Sequence, residues 1–152
     1  MREHFAHCRL VIAGSGPEEA ALKVLTRQLG LLSAVSFAGY VDDPATYFPG
    51  ASLFVLSSRY EGMPNALLEA AAGGLPIVAS PASDGIRDLL PGQSGTWLAS
   101  EVSAEALAEV LLAALTSLEP SQRFQHAFID DFRFDRAIRA DEDLIDATMA
   151  ER

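Results

Sequence analysis

The stretch Cys8-Arg9-Leu10-Val11-Ile12-Ala13-Gly14-Ser15-Gly16-Pro17 decides how the rest of the chain is read. A mostly apolar run stops at a glycine turn, and proline opens the next segment, the pattern of a buried strand feeding a helix. The helix is predicted over 17–30. Ala21, Leu22, Leu25 and Leu29 recur at spacings of one, three and four, charged side chains fall largely elsewhere, and Gly30 ends it. Three more apolar runs, at 34–38, 52–56 and 75–80, are each flanked by glycine, proline or aspartate and read as buried parallel strands. Between them lie a short helical turn at 44–48 and an Ala/Leu-rich helix at 64–72 closed by Gly73-Gly74. Gly95-Thr96-Trp97-Leu98 is a last short strand. Ser103 is then placed to cap a long helix running to Leu118, with Leu107, Val110, Leu111, Ala114, Leu115 and Leu118 facing inward. The acid-rich remainder, 119–152, carries Phe124, Phe128, Phe132, Phe134, Ile138, Leu144 and Ile145 as anchors and is predicted to form two helices outside the sheet.

Strand alternating with helix is the α/β pattern. It implies a Rossmann-like parallel sheet with right-handed crossovers and helices on both faces, and it puts ligands at the carboxyl ends of the strands. Met1 to His7 reads as the tail of a helix, so the chain joins this pattern one strand–helix unit late. There is no internal repeat or low-complexity linker, and 1–152 reads as one domain with its core over 8–118.

Composition narrows the function. The chain has 152 residues, 49% of them hydrophobic, enough for one domain that buries about 70% of its unfolded surface. Twenty-one acidic side chains against 11 basic ones give a net charge of −10, with no cluster of Lys or Arg, so nucleic acid is excluded as a direct partner. Cys8 is the only cysteine, which excludes an internal disulfide and a thiolate metal cage and fits a reducing compartment. No apolar run reaches the roughly 18 residues of a membrane span, and Met1-Arg2-Glu3-His4 does not open a signal peptide. No transmembrane segment and a cytoplasmic location are expected.

Two stretches carry chemistry. The Gly14-Ser15-Gly16 turn lets a phosphate approach the backbone at the start of a helix, but position 19 is Glu19 and 36–40 offers no acid for a ribose, which argues against NAD. The richer stretch is Ser57-Ser58-Arg59-Tyr60-Glu61-Gly62-Met63-Pro64-Asn65-Ala66-Leu67-Leu68-Glu69-Ala70, just past a strand and running into a helix. Pro64 at the first helical position is expected to leave the Asn65 and Ala66 N–H groups free as an anion seat. Glu61 lies in the loop beside that seat. Glu69 shares a helix face with Asn65, four residues away. A carboxylate accepts two hydrogen bonds from a vicinal diol, so a sugar at one Glu, a ribose at the other and phosphates between would use every group. The plainer alternative is a solvated Glu69 and a turn-capping Glu61.

This stretch, continuing through Glu69-Ala70-Ala71-Ala72-Gly73-Gly74-Leu75-Pro76-Ile77-Val78-Ala79-Ser80, resembles the signature of the family-4 (group 1) retaining glycosyltransferases of GT-B fold, in which two Glu are separated by seven residues. Leu10 to Pro17 resembles that family's second strand and turn, Val35 to Val41 its third, and Gly85-Ile86-Arg87-Asp88 with Gly92 and Gly95 the loops after the signature, so that nearly all of 8–118 is covered in order. The resemblance implies the C-terminal, donor-binding half of a GT-B enzyme, lacking its first strand. It implies that Glu61 contacts the donor sugar near the reacting carbon as the catalytic residue, that the Gly62, Met63, Pro64, Asn65 and Ala66 stretch binds sugar and diphosphate, and that Glu69 holds the ribose. Gly14 and Gly16 join the donor site, Tyr40 and Val41 line the base, and Arg59 is a frequent family residue without an assigned role. The donor is a nucleoside diphosphate sugar, the acceptor a saccharide or a lipid-linked saccharide, and no cofactor or metal is expected. Departures are Asp84-Gly85 for a Gly-Gly pair and Asp88 for a Glu.

The family's diphosphate-binding Arg and Lys belong to a strand and loop preceding Met1, and Lys23, the only lysine, sits on an outer helix face. With the acceptor-binding N-terminal domain also missing, the chain alone is expected to be poorly active, and any contact with the inner face of the membrane would come through that missing half. A non-catalytic nucleotide-sugar-binding or docking module is the alternative. An epimerase would need acid–base residues that the cleft lacks. His4 and His7 lack a third metal ligand, His126 between phenylalanines reads as packing, and no Gly-x-Ser-x-Gly elbow supports a hydrolase.

Overall fold

Glycine-bounded aliphatic runs become five strands, each paired in parallel with its neighbours, in a computed structural model that describes residues 8–132. The chain divides at Pro44/Ala45 into two compact units.

The first unit holds β1 (Leu10–Ala13), α1 (Glu19–Gln28) and β2 (Val35–Gly39). β1 runs parallel to β2 with Leu10 opposite Val35 and Ile12 opposite Phe37, and the register slips after Ile12 so that Ala13 meets Gly39. α1 is shorter than predicted because Pro17 and Glu18 form the entering turn, and the Glu18 side chain caps nothing. Its end is as read. Gly30 adopts φ +64°, its N–H reaches Arg27 O (2.9 Å), and the Leu31 N–H reaches Thr26 O (2.9 Å), a Schellman closure that only glycine enters without strain. The predicted inward face of α1 is corrected. Leu25 and Leu29 are 48% and 57% exposed, and the buried residue is Thr26, whose hydroxyl donates to Leu22 O (2.8 Å). Leu10 and Val11 on β1 are also nearly half exposed. The apolar periodicity is real, but Leu22, Leu25 and Leu29 stand exposed.

In the second unit the strands are β3 (Phe54–Leu56), β4 (Ile77–Ala79) and β5 (Thr96–Leu98), in spatial order β3-β4-β5 and all parallel. Phe54, Val55 and Leu56 face Ile77, Val78 and Ala79, which in turn face Thr96, Trp97 and Leu98. β4 is central and all three of its residues are buried, as expected of a strand flanked on both edges and covered on both faces. The core gathers Leu56, Leu67, Ala71, Ile77, Ala79, Ile86, Leu90 and Phe128. α2 (Asn65–Ala72) ends as read, with Gly74 at φ +72° and N–H bonds from Gly74 to Ala71 O and from Leu75 to Ala70 O. Residues 84–89, read as a loop, form α3 (Asp84–Leu89), because the Ser83 hydroxyl accepts the Ile86 N–H (3.4 Å) and nucleates a turn. α4 (Ala104–Ser117) carries the predicted cap: Ser103 Oγ accepts from the Ala106 N–H at 3.2 Å.

The stretch after α4 departs from the predicted helices. A 3-10 turn covers Ala127–Phe132, but 119–126 is irregular and behaves as a strap across the amino ends of all three strands. The Arg123 guanidinium donates to Phe48 O (3.0 Å) and Ala51 O (2.9 Å), the Phe124 N–H to Gly74 O (2.9 Å), and the His126 Nε2 lies 2.8 Å from Leu75 O. The Phe124 ring lies against Gly95, where even a Cβ would be 2.3 Å from it. These distant acceptors compete successfully with helix formation. Phe134, Ile138, Leu144 and Ile145, like His4 and His7, lie outside the described residues.

Candidate functional site

Each unit presents its predicted site residues at the carboxyl ends of its own strands, where loops of a parallel sheet leave backbone groups open. In the first unit, Gly14 follows β1 and Tyr40 and Val41 follow β2. The structure joins them: the Gly14 N–H donates to Gly39 O at 2.7 Å, with φ +123° at Gly14 and +70° at Gly39, so the turn abuts the residue before Tyr40. That bond occupies the Gly14 N–H. Gly16, whose carbonyl accepts from the Glu19 N–H (3.2 Å), has open space where a Cβ would stand. Tyr40 is largely exposed and Val41 half-buried.

In the second unit, 57–64 leaves β3 and enters α2, while Ser80, Pro81 and Ala82 leave β4 beside it; the Ser80 N–H donates to Leu56 O at 2.9 Å. Glu61 is half-buried. Its N–H donates to Ala82 O (3.3 Å), and its Oε1 accepts from the Ser58 hydroxyl at 2.5 Å. Ser58 is the residue the sequence reading passed over; its only signal was a serine three residues before a glutamate.

The helix start differs from the reading in one detail. Pro64 is buried with ψ 66° and stands before the helix rather than in its first turn. Its carbonyl accepts from the Leu67 and Leu68 N–H groups (2.9 and 3.1 Å), and the Asn65 N–H turns back to Met63 O (2.9 Å). Asn65 is therefore corrected as a free donor. Ala66 retains an N–H with no partner among the described residues, at the positive end of the α2 dipole. Gly62 and Met63 are exposed, and Gly62 has open space around its Cα. Glu69 is exposed one turn beyond Asn65, its carboxylate with no hydrogen bond or ion pair among the described residues, and Arg59 is exposed in the loop.

Other groups are spoken for. Lys23 pairs with Glu19 (2.5 Å) on the outside of α1 and lies 5.5 Å from the Phe37 ring. His126 is buried between Phe124 and Phe128, as read. A concavity of about 470 Å³ lies beside it, lined by Ala71, Ala72, Gln125 and Asp130, at the strap and not at the two glutamates. That hollow lies where the strap meets α2. Among the described residues no three His, Cys, Asp or Glu side chains gather as metal ligands, and no helix is long and apolar enough to cross a membrane.

Comparison with known proteins bears on the family and the fold. The Vi polysaccharide biosynthesis protein VipC/TviE of Salmonella typhi is 34% identical over 93 residues, 61% of this chain and 16% of that protein. The lipopolysaccharide outer core galactosyltransferase WaaB superposes with a TM-score of 0.76 at 23% identity, over 96% of this chain and 43% of that one. Anabaena HepE, solved with UDP, gives 0.72 at 21% identity, over 99% and 44%. This chain thus spans less than half the length of each, and shares with these structures the α/β, Rossmann-like GT-B fold. Residues 1–117 match the family described as Glycosyl transferases group 1, and on that match the chain belongs to the group 1 glycosyltransferases.

Proposed function

We propose that this chain is the donor-binding half of a retaining glycosyltransferase of polysaccharide biosynthesis, which moves a sugar from a nucleoside diphosphate sugar to a saccharide or lipid-linked acceptor in the cytoplasm. The observation that carries the reading is the loop–helix junction after β3, where a held carboxylate (Glu61), an open N–H (Ala66) and an unpaired carboxylate (Glu69) follow one another within nine residues. The UDP in the HepE structure supports a nucleotide on this fold. Glu61 takes sugar hydroxyls, the Ala66 N–H and the α2 dipole take a phosphate oxygen, and Glu69 takes the ribose diol. Gly14, Gly16, Tyr40 and Val41, in the first unit, keep the nucleotide-binding roles that the sequence resemblance implies.

Departure of the diphosphate builds negative charge on its oxygens, and preorganised donors aimed at that charge lower the barrier. One N–H and a helix end are a weak set for two phosphates. Lys23 is committed to Glu19, while Arg59 stands exposed in the same loop as Glu61, and the acceptor site belongs to a separate domain. The bare aliphatic side chains of β1 and α1 favour, as a second reading, a module that binds nucleotide sugar and docks to a separate acceptor domain without turning over alone. The test is calorimetric titration of UDP-, GDP- and ADP-sugars into the chain and into Glu69→Ala. One donor binds the wild type and the mutant loses it; equal binding removes the ribose role, and no binding by any donor overturns the reading.

A further inference from the structure

We infer that Ser58 is a positioning residue that fixes the Glu61 carboxylate before a donor arrives, and so governs how well the site tells a nucleotide sugar from the bare nucleotide; this rests on the sugar-contact role proposed for Glu61. Glu61 is tied from two directions. Its side chain is held by Ser58, in the stretch leaving β3, and its backbone N–H by Ala82, in the stretch leaving β4. The two ties come from the segments that leave two hydrogen-bonded neighbouring strands.

The kind of tie matters. A serine hydroxyl offers one proton, and here it goes to Oε1. Oε2 is left with both acceptor positions for a sugar hydroxyl. A neutral donor also leaves the carboxylate its full charge, and no cation pairs with Glu61 among the described residues. An Arg or Lys in place of Ser58 would orient the group equally well but cancel the negative charge that favours a sugar developing positive character at its reacting carbon. Without the hydroxyl, the glutamate would sample several rotamers, and freezing them would be charged to ligand binding.

The test titrates the full chain, and its Ser58→Ala, Ser58→Thr and Glu61→Gln variants, with three ligand pairs: UDP-glucose and UDP, GDP-mannose and GDP, ADP-glucose and ADP. For the pair that binds, Ser58→Ala weakens the sugar nucleotide roughly fivefold to tenfold and leaves the bare nucleotide unchanged. Ser58→Thr, which keeps the hydroxyl, restores most of the loss, and the unfolding midpoint of Ser58→Ala stays at that of the wild type. Unchanged binding of both ligands, or equal weakening of both, overturns the inference. If Glu61→Gln leaves the discrimination intact, the sugar-contact role of Glu61 fails instead; if Glu61→Gln removes it and Ser58→Ala does not, only the role of Ser58 fails. Absence of binding by all three pairs overturns the donor-site reading and this inference with it.

Discussion

Gly92 and Gly95 share a backbone conformation, φ +76°, and differ in what surrounds them. A Cβ at Gly92 would meet nothing within 4 Å, whereas one at Gly95 would stand 2.3, 2.5 and 2.6 Å from Cγ, Cδ2 and Cδ1 of Phe124. Alanine in this left-handed region costs about 1–2 kcal/mol at either site. At Gly95 the ring must also retreat by about 1.4 Å to reach an ordinary carbon–carbon separation of about 3.7 Å. The backbone of Phe124 is bonded to Gly74 O, and Arg123 and His126 on either side are bonded to Ala51 O and Leu75 O, so the ring cannot move without loosening the strap. Overpacking of that kind adds about 1–3 kcal/mol. Gly95→Ala should therefore lose about 2–5 kcal/mol and Gly92→Ala about 1–2 kcal/mol. Urea unfolding followed by the fluorescence of Trp97, the sole tryptophan and a β5 residue, reads the unit concerned directly. Repeating Gly95→Ala in a Phe124→Ala background should cut its cost to that of Gly92→Ala. The reasoning is refuted if the two glycine variants agree within about 0.5 kcal/mol, or if Phe124→Ala leaves the Gly95→Ala cost unchanged.

Other contacts lead to four more expected outcomes. Ser103→Ala removes the side-chain cap of α4 and should cost about 1 kcal/mol in the same urea assay, with Ser103→Gly costing only a few tenths. His126→Leu leaves Leu75 O buried without its donor and should cost about 1–3 kcal/mol. Lys23→Gln breaks an exposed i,i+4 pair, so it should shift stability by no more than about 0.5 kcal/mol, and it should leave sugar-nucleotide affinity unaltered by calorimetry. Glu69→Ala, at an exposed and unpaired position, should unfold within about 0.5 kcal/mol of the wild type while losing the nucleotide, which separates a binding defect from a folding one.

Features written in neighbouring residues are legible in the sequence. The Ser103 cap, the glycine closures at Gly30 and Gly73-Gly74, and the positions of β3, β4 and β5 depend on local chemistry, and each stands where the sequence places it within a residue or two. Burial is not legible, because the stripe of Ala21, Leu22, Leu25 and Leu29 says only that one face of α1 is apolar, not that anything lies against it. The strap is hidden for a related reason: Arg123 reaches carbonyls 72 and 75 residues away, a pairing with no periodic trace. At the site, the two glutamates and their loop–helix setting are evident from spacing alone. The fate of the Asn65 N–H is not, since it turns on ψ 66° at Pro64, and neither is the Ser58–Glu61 bond, a contact within a loop and outside any helix or strand.

The contrast between β1 and β4 bears on how the chain opens. β4 is sealed by a neighbour on each edge and by side chains above and below, while β1 has a described neighbour on one edge only and wears its leucine and valine on the outside. Two-stranded ribbons are poor at staying closed on their own. In heavy water the amides of Val11 and Ile12 would trade their protons early, through brief local openings, and those of Val78 and Ala79 only when the whole second unit comes apart. A partner laid over β1 would announce itself by slowing that first exchange.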